Sequence, residues 1–297
     1  MYEVRFHGRG GQGAVMAAQA LASAAFKEGY YAVAFPHFGA ERRGAPVLAF
    51  TRMDKQKIRR KNQVYNPSFV VILDDRLIDL VNVSEGLNPS GAAVVNTRKS
   101  PEEIDLGMEI KVGVVDATSV ALEVLGVPIT NSAILGAFAK TTGVVSIEAV
   151  EEGIRDIFGG RIGKEAGEKN AKAARVAYDR TVVGTSRGEK KMVSKKQWLP
   201  TVQELPLGLA TRSMETDAGL VGPGSFVENK TGSWRTFKPV FNRDKCVMCL
   251  LCWFYCPEGA IKRVDGGKTL EFDFDYCKGC GICAEECPTK AIEMVRD

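Results

Sequence analysis

Four cysteines stand within the eleven residues from Cys246 to Cys256, and a proline follows them. The same spacing returns 31 residues later, so "CVMCLLCWFYCP" and "CKGCGICAEECP" both read C-x-x-C-x-x-C-x-x-x-C-P. These eight are all the cysteines of the chain, and the first 245 residues contain none. Thiols so grouped can pair as disulfides or bind metal. The N-terminus "MYEVRFHGRGG" lacks the apolar centre of an export signal, which places the chain in a reducing cytoplasm and argues against disulfides. Zinc sites usually use two separated pairs of ligands. Here three thiols recur at three-residue intervals and a fourth follows a longer gap, the run that holds iron-sulfur cubanes.

Three cysteines in one tight loop can reach three corners of a cubane, while the displaced fourth serves the cluster of the other repeat. One 4Fe-4S cluster is therefore expected on Cys246, Cys249, Cys252 and Cys287, and a second on Cys277, Cys280, Cys283 and Cys256. Pro257 and Pro288 suit the first turn of a helix, where a missing N–H costs little. Gly279 and Gly281 let the second loop turn through positive φ, whereas the first loop has Met248 and Leu250 in their places. The bulkier apolar cover of the first loop gives its cluster an expected lower reduction potential.

The rest of the chain must position this tail. At 297 residues it exceeds a single typical core. No apolar run is long enough to cross a bilayer, and a net charge of +4 is too slight to argue for nucleic acid. The tail from Val240 onward carries eight basic and ten acidic residues, so the excess of positive charge lies in the body.

In the body, "YEVRFHG" alternates Val4 and Phe6 with polar neighbours, then meets "GRGGQG" and an Ala-rich segment from Ala14 to Glu28. Strand, glycine loop and helix follow in that order. Gly8, Gly10 and Gly13 fit G-x-G-x-x-G, and Gly8, Arg9, Gly10, Gly11, Gln12 and Gly13 make a candidate anion-binding loop at a helix N-terminus. The next strand, "YYAVAFPHFG", ends without the carboxylate that a dinucleotide ribose needs, and Glu28 falls inside the preceding helix; this discounts a nicotinamide cofactor.

Further strands are expected at "APVLAFTRM", "FVVILDD", "GAAVVNT" and "IKVGVVD". Helices are expected at "TSVALEVLG", "NSAILGAFAKTTG", "SIEAVEEGIRDIFG" and "KEAGEKNAKAARVAYDRTVVG". Together they describe a Rossmann-like, doubly wound α/β domain over residues 1–184. An extended arm over 185–239 follows, anchored by Trp198, Trp234 and Phe237, and then an α+β double 4Fe-4S ferredoxin domain over 240–297. The loop "FGAERRGAP" presents Arg42 and Arg43 between glycines, either as a solvated loop or as an interface or anion site. His7 and His37, the two histidines, lie at strand ends with no visible partner.

These motifs resemble the gamma and delta subunits of 2-oxoacid:ferredoxin oxidoreductases, joined in one chain. "HGRGGQGAV" and "FGAERRGAP" are similar to the gamma subunit of the pyruvate-type enzymes, and "KTGSWRTFKP" with the double cysteine repeat is similar to the delta subunit. The resemblance implies a cytoplasmic hetero-oligomer of anaerobic metabolism. Its alpha and beta subunits would carry thiamine pyrophosphate, Mg and a further 4Fe-4S cluster, and would decarboxylate a 2-oxoacid. This chain would pass the electrons to an external ferredoxin and would be inactive alone. It also implies coenzyme A near the glycine loop and Arg42 and Arg43, needed where the product is an acyl thioester, as from pyruvate, and not where oxalate yields only carbon dioxide. Other classes open to the residues alone are an autonomous NAD(P)H- or flavin-dependent reductase and an electron-carrier docking module.

Overall fold

The computed structural model describes residues 1–37, 44–60, 62–189, 214–216, 219–221 and 230–297. The chain divides into two compact units, Met1–Val193 and Ser194–Asp297.

The first unit is a seven-stranded sheet with helices. Strands β1 (Tyr2–Arg9), β2 (Tyr31–Pro36), β3 (Pro46–Asp54), β4 (Phe69–Ile72), β5 (Ala92–Asn96), β6 (Lys111–Val115) and β7 (Val182–Thr185) lie in the order β2-β3-β1-β4-β5-β6-β7. The four central strands β1, β4, β5 and β6 are parallel. Strand β3 runs antiparallel to both β1 and β2, and β7 runs antiparallel to β6. Because side chains alternate along a strand, Val4, Phe6, Phe69, Val71 and Val94 enter one core, while Val70, Ile72, Val95 and Val112 enter the other.

The first face is covered by helices: α1 (Ala14–Lys27), α3 (Ala117–Leu125), α4 (Ala133–Thr142), α5 (Ile147–Ile162) and α6 (Lys164–Arg180). Ala14, Ala17, Ala18, Leu21, Ala24 and Ala25 give α1 a buried stripe at helical spacing. The Ser146 side chain caps α5 by accepting from the Ala149 N–H. The opposite face is covered by the one-turn helix α2 (Leu77–Leu80) and by loop residues such as Val83, Leu87, Ile104 and Leu106. The connections after β4 and β5 form only the short α2 and a turn at Pro101–Glu103, so helical cover is concentrated on one side.

One expected helix is corrected. The segment ending "DRTVVG" does not stay helical throughout: α6 stops at Arg180, and Val182–Thr185 become strand β7. Two β-branched valines gain more from pairing with β6 than from another helical turn. The first unit also continues past Gly184, since Ser186 N–H donates to the Ile110 carbonyl at 3.0 Å and Arg187 N–H to the Ile104 carbonyl at 2.7 Å.

In the second unit, β10 (Phe237–Phe241) pairs antiparallel with β13 (Ile292–Arg296), and β11 (Ile261–Val264) with β12 (Thr269–Phe272). A further short pair, β8 (Met214–Thr216) and β9 (Gly219–Val221), precedes them. The one-turn helices α7 (Leu251–Phe254) and α8 (Ile282–Glu285) occupy equivalent places in the two cysteine repeats. Cys252, Ile261, Leu270 and Ile292 form a small core. Residues 230–239, expected as the end of the arm, belong to this unit: Gly232 N–H donates to the Asp275 carbonyl at 2.7 Å, and the Thr231 hydroxyl to the Tyr276 carbonyl at 2.9 Å. Trp198 lies outside the described residues. Among the described residues no helix is long and apolar enough to cross a membrane.

Candidate metal centre

Each cysteine repeat turns into a one-turn helix, which projects its third thiol inward, and the β10–β13 pair brings the end of the unit back beside its beginning. The result is two cavities. Cys246, Cys249, Cys252 and Cys287 line the first with Phe241, Leu270 and Ile292. Cys256, Cys277, Cys280 and Cys283 line the second with Pro239, Ile261 and Phe272. Each cavity thus takes three thiols from one repeat and the last thiol of the other. All eight cysteines are free of disulfides. Among the described residues, no three His, Cys, Asp or Glu side chains gather closely enough to hold a single ion. Four thiols lining one cavity suit a polynuclear centre.

The chemistry of the sulfurs agrees with that fit. Burial pushes the Cys283 thiol up to about 12, and the neighbouring thiols of Cys277 and Cys280 push in the same direction. Burial also raises Cys252 and Cys277. Such a group ionises together only around a positively charged centre. In Cys287 burial acts upward, but hydrogen bonds from the Ala291 amide and from Thr289 outweigh it and lower the thiol. The Ala291 amide donates to Cys287 Sγ at 3.2 Å, and the Met248 amide to Cys246 Sγ at 3.3 Å. Met248 (φ 56°) and Leu250 (φ 63°) are left-handed, matching Gly279 (φ 65°) and Gly281 (φ 84°) in the second repeat.

Arg235, in the stretch "KTGSWRTFKP", was not singled out from sequence. Its Nη1 donates to the carbonyls of Phe274 at 2.6 Å and Gly232 at 3.0 Å, and its Nε lies 3.0 Å from Asp297 Oδ2. Its charge acts on Cys277. Arg243 stands likewise beside the first cavity, its Nη1 donating to the Cys246 carbonyl at 3.1 Å, so each centre has a neighbouring guanidinium.

In the first unit, the glycine loop joins β1 to α1 as expected. Gln12 folds back on Arg9: the Arg9 amide donates to Gln12 Oε1 at 2.8 Å, and the Gln12 amide to the Arg9 carbonyl at 2.9 Å. Gly10 exchanges backbone hydrogen bonds with Ala45 and Gly44, so the second loop motif abuts the first. Arg42 and Arg43 themselves lie outside the described residues. Gly13 begins α1 at φ 76°, and a Cβ there would lie 2.3 Å from Asn131 Nδ2. Gly8 is buried, whereas Gly11 is exposed at the tip.

Arg9 is 1% exposed; its Nε bonds Asp74 Oδ2 at 2.7 Å and its Nη1 the Gly44 carbonyl at 3.2 Å, while its Nη2 is buried without a hydrogen-bond partner. Asn131 Oδ1, Thr130 Oγ1 and Ser132 Oγ are also buried without partners. The unpartnered Nη2 of Arg9 and the N-terminus of α1 are able to donate to a polar, anionic group. Asp74 and residues 130–132 carry no motif; the position of Asp74 just beyond the carboxyl end of β4, a parallel strand beside β1, is the one signal that could have found it. Replacing Asp74 with alanine leaves the Arg9 charge buried. The expected loss is about 3–5 kcal/mol of stability, read as a lowered unfolding midpoint.

Both histidines have partners within the first unit. Arg5 Nε donates to His7 Nε2 at 3.0 Å, and burial, with the Arg5 charge, lowers the pKa of His7 from 6.5 to about 3. The unfolded chain takes up this proton near pH 6.5, the folded chain only near 3. Stability from this site is therefore complete above pH 6.5 and declines as the pH falls toward 3. Thermal unfolding between pH 8 and 5 is expected to show that decline, and His7→Gln to flatten it. His37 Nδ1 lies 2.6 Å from Gln63 Nε2. Glu28 Oε1 accepts from the Ser146 amide at 2.6 Å, which commits that carboxylate to the start of α5.

Residues 3–180 match the family model described as pyruvate ferredoxin/flavodoxin oxidoreductase. The chain belongs to that family. As a pyruvate ferredoxin/flavodoxin oxidoreductase family member it also carries, over residues 240–294, a match to the 4Fe-4S dicluster domain. The chain is similar to the pyruvate/ketoisovalerate oxidoreductases common subunit gamma of Pyrococcus furiosus, 59% identical over 186 residues that are 98% of that protein and 62% of this one. It is similar to pyruvate synthase subunit PorC of Methanocaldococcus jannaschii, at 57% identity over 96% of that subunit and 60% of this chain. The crystal structure of the pyruvate oxidoreductase subunit PORC of Thermotoga maritima superposes with a TM-score of 0.53 at 38% identity, covering 98% of that chain and 62% of this one. The family's gamma-type region thus fills about three fifths of the chain, and the dicluster domain lies beyond it.

Proposed function

We propose that this chain is the combined gamma and delta subunit of a thiamine pyrophosphate-dependent 2-oxoacid:ferredoxin oxidoreductase acting on pyruvate. The observation that carries this reading is the union, in one polypeptide, of a gamma-type domain with a 4Fe-4S dicluster domain. In this reading, alpha and beta partners hold thiamine pyrophosphate, Mg and a further cluster, and decarboxylation there releases an electron pair. Cys246, Cys249, Cys252 and Cys287 hold one 4Fe-4S cluster of this chain, and Cys256, Cys277, Cys280 and Cys283 the other. Bound clusters supply one-electron steps on the way to an external ferredoxin. The chain's own residues fix those centres, exclude water with Phe241, Leu270, Ile261 and Phe272, and direct amides at sulfur.

In this reading the glycine loop Gly8 to Gly13 contributes at the active centre, and Arg42 and Arg43 supply positive charge for the phosphates of coenzyme A. Support comes from the N-terminus of α1 and from the buried, unpartnered Arg9 Nη2.

The test is co-expression with the alpha and beta chains and assay of ferredoxin reduction with pyruvate, ketoisovalerate, 2-oxoglutarate and oxalate, each with and without coenzyme A. Turnover of pyruvate that requires coenzyme A and all chains is expected. Reduction of the isolated chain by NADH, or its failure to join the other subunits, would overturn the reading.

A further inference from the structure

Equivalent positions of the two cysteine repeats lie 31 residues apart, so each centre is a control for the other. The fourth thiol is the weak point of a crossed design, because it must be held against a loop that belongs to the other repeat. At the first centre the sulfur itself is held: Cys287 Sγ accepts from the Ala291 amide at 3.2 Å and lies 3.7 Å from the Thr289 hydroxyl. At the second centre Cys256 Sγ accepts no hydrogen bond among the described residues.

An ion pair spans the second centre instead. Glu258, two residues after Cys256, accepts from Lys278 Nζ at 2.8 Å, and Lys278 directly follows Cys277. Both residues line the cavity, so the bond ties the segment of the displaced ligand to the loop that supplies the other three thiols. Lys278 Nζ also lies 5.2 Å from the centroid of the Trp234 ring. The Trp234 segment is fixed to the same loop, with the Thr231 hydroxyl donating to the Tyr276 carbonyl at 2.9 Å and Arg235 Nη1 to the Cys277 carbonyl at 3.4 Å. In the first cavity the equivalent positions are Thr289 and Val247, which line the wall but have no charge to pair.

The Lys278 and Glu258 side chains are 33% and 29% exposed. Salt can therefore reach and screen the pair, while partial burial and the aromatic face beside the ammonium strengthen it beyond an open surface contact. We propose that Glu258 and Lys278 form an electrostatic latch that positions Cys256 for the second cluster, so that retention of this cluster, unlike that of the first, depends on ionic strength. They are positioning residues, acting through Cys256 and Cys277. The first centre, whose displaced sulfur is held by hydrogen bonds, is indifferent to salt. This assignment rests on the crossed pair of 4Fe-4S clusters proposed above.

The experiment follows anoxic release of iron from the full chain to an excess of chelator, at low salt and at about 1 M potassium chloride, where the Debye length falls to about 3 Å. EPR of the reduced protein identifies which cluster remains, with Cys256→Ala and Cys287→Ala supplying the reference signal of each cluster alone. Wild type is expected to lose the second cluster faster as salt rises, and the first at an unchanged rate. Glu258→Gln and Lys278→Met should each release the second cluster about threefold to tenfold faster at low salt and should no longer respond to salt. The reversed pair, Glu258→Lys with Lys278→Glu, should recover most of the retention and the salt response. If the single variants hold the second cluster as wild type does, if both clusters quicken equally, or if the reversed pair is as labile as the single variants, the latch is wrong. A wild-type chain that binds one cluster, or none, would instead defeat the two-cluster reading itself.

Discussion

Removing the last cysteine of the second repeat is expected to destroy the cluster of the first. Cys287 lines the cavity of Cys246, Cys249 and Cys252, and Cys256 lines that of Cys277, Cys280 and Cys283. Single Cys287→Ala and Cys256→Ala variants should each keep roughly half the iron and acid-labile sulfide of the wild type. Paired variants separate the crossed arrangement from a simple one. Cys246→Ala with Cys287→Ala damages a single site twice and should leave the other cluster intact. Cys277→Ala with Cys287→Ala damages both sites, although both residues come from the same repeat, and should leave a nearly colourless tail. EPR spin counts on the dithionite-reduced protein, beside iron and sulfide analysis, read the outcome. If the second pair retains one cluster and the first pair none, each repeat holds its own cluster and the crossed assignment is wrong. Because each centre joins both repeats, losing either should also lower the unfolding midpoint of the tail, since metal binding free energy is shared with folding.

How much of this was legible in the sequence depends on whether the determining contact was local. The grouping of the cysteines was legible because it is local, and the structure lines one cavity with Cys246, Cys249, Cys252 and Cys287 and the other with Cys256, Cys277, Cys280 and Cys283. The strand, glycine loop and helix from Tyr2 to Lys27 were legible for the same reason: alternation at Val4 and Phe6, then the glycines, then alanines at helical spacing. Strand β7 was not, because "TVVG" continues an uninterrupted helical pattern and becomes strand only through pairing with β6, some 70 residues earlier. Asp74 and Asn131 were hidden likewise; their roles exist only where Arg9 and Gly13 meet them. The aperiodic stretch read as an arm had ends that belong to the flanking units, held by backbone bonds such as Arg187 to Ile104 and Gly232 to Asp275, which leave no periodic signature.

The Gly279→Met variant is expected to be among the most damaging in the tail. Met248, its counterpart, already occupies a left-handed conformation at φ 56°, so the backbone shape alone does not demand glycine. That conformation costs a side-chain-bearing residue roughly 1–2 kcal/mol. At Gly279 a Cβ would lie 2.0 Å from the Phe237 carbonyl oxygen and 2.8 Å from the Arg235 Cβ. Strand β10 crosses directly over this loop, held to β13 on its other edge, so the clash cannot be relieved by turning a flexible side chain. Gly279→Met must therefore push β10 away or distort the loop between Cys277 and Cys280. Loss of the cluster of Cys256, Cys277, Cys280 and Cys283 is expected, together with destabilisation well beyond the left-handed cost. Gly281→Ala is the control, since nothing lies within 4 Å of a Cβ there. It should cost only about 1–2 kcal/mol and keep both clusters. Met248→Gly in the first loop should be close to neutral, because relief of the left-handed strain is offset by lost packing against the core of Cys252 and Ile292. Thermal unfolding and EPR of the three variants decide the matter. A Gly279→Met protein with both clusters and a wild-type melting temperature would mean that "KTGSWRTFKP" does not clamp the second cysteine loop as described.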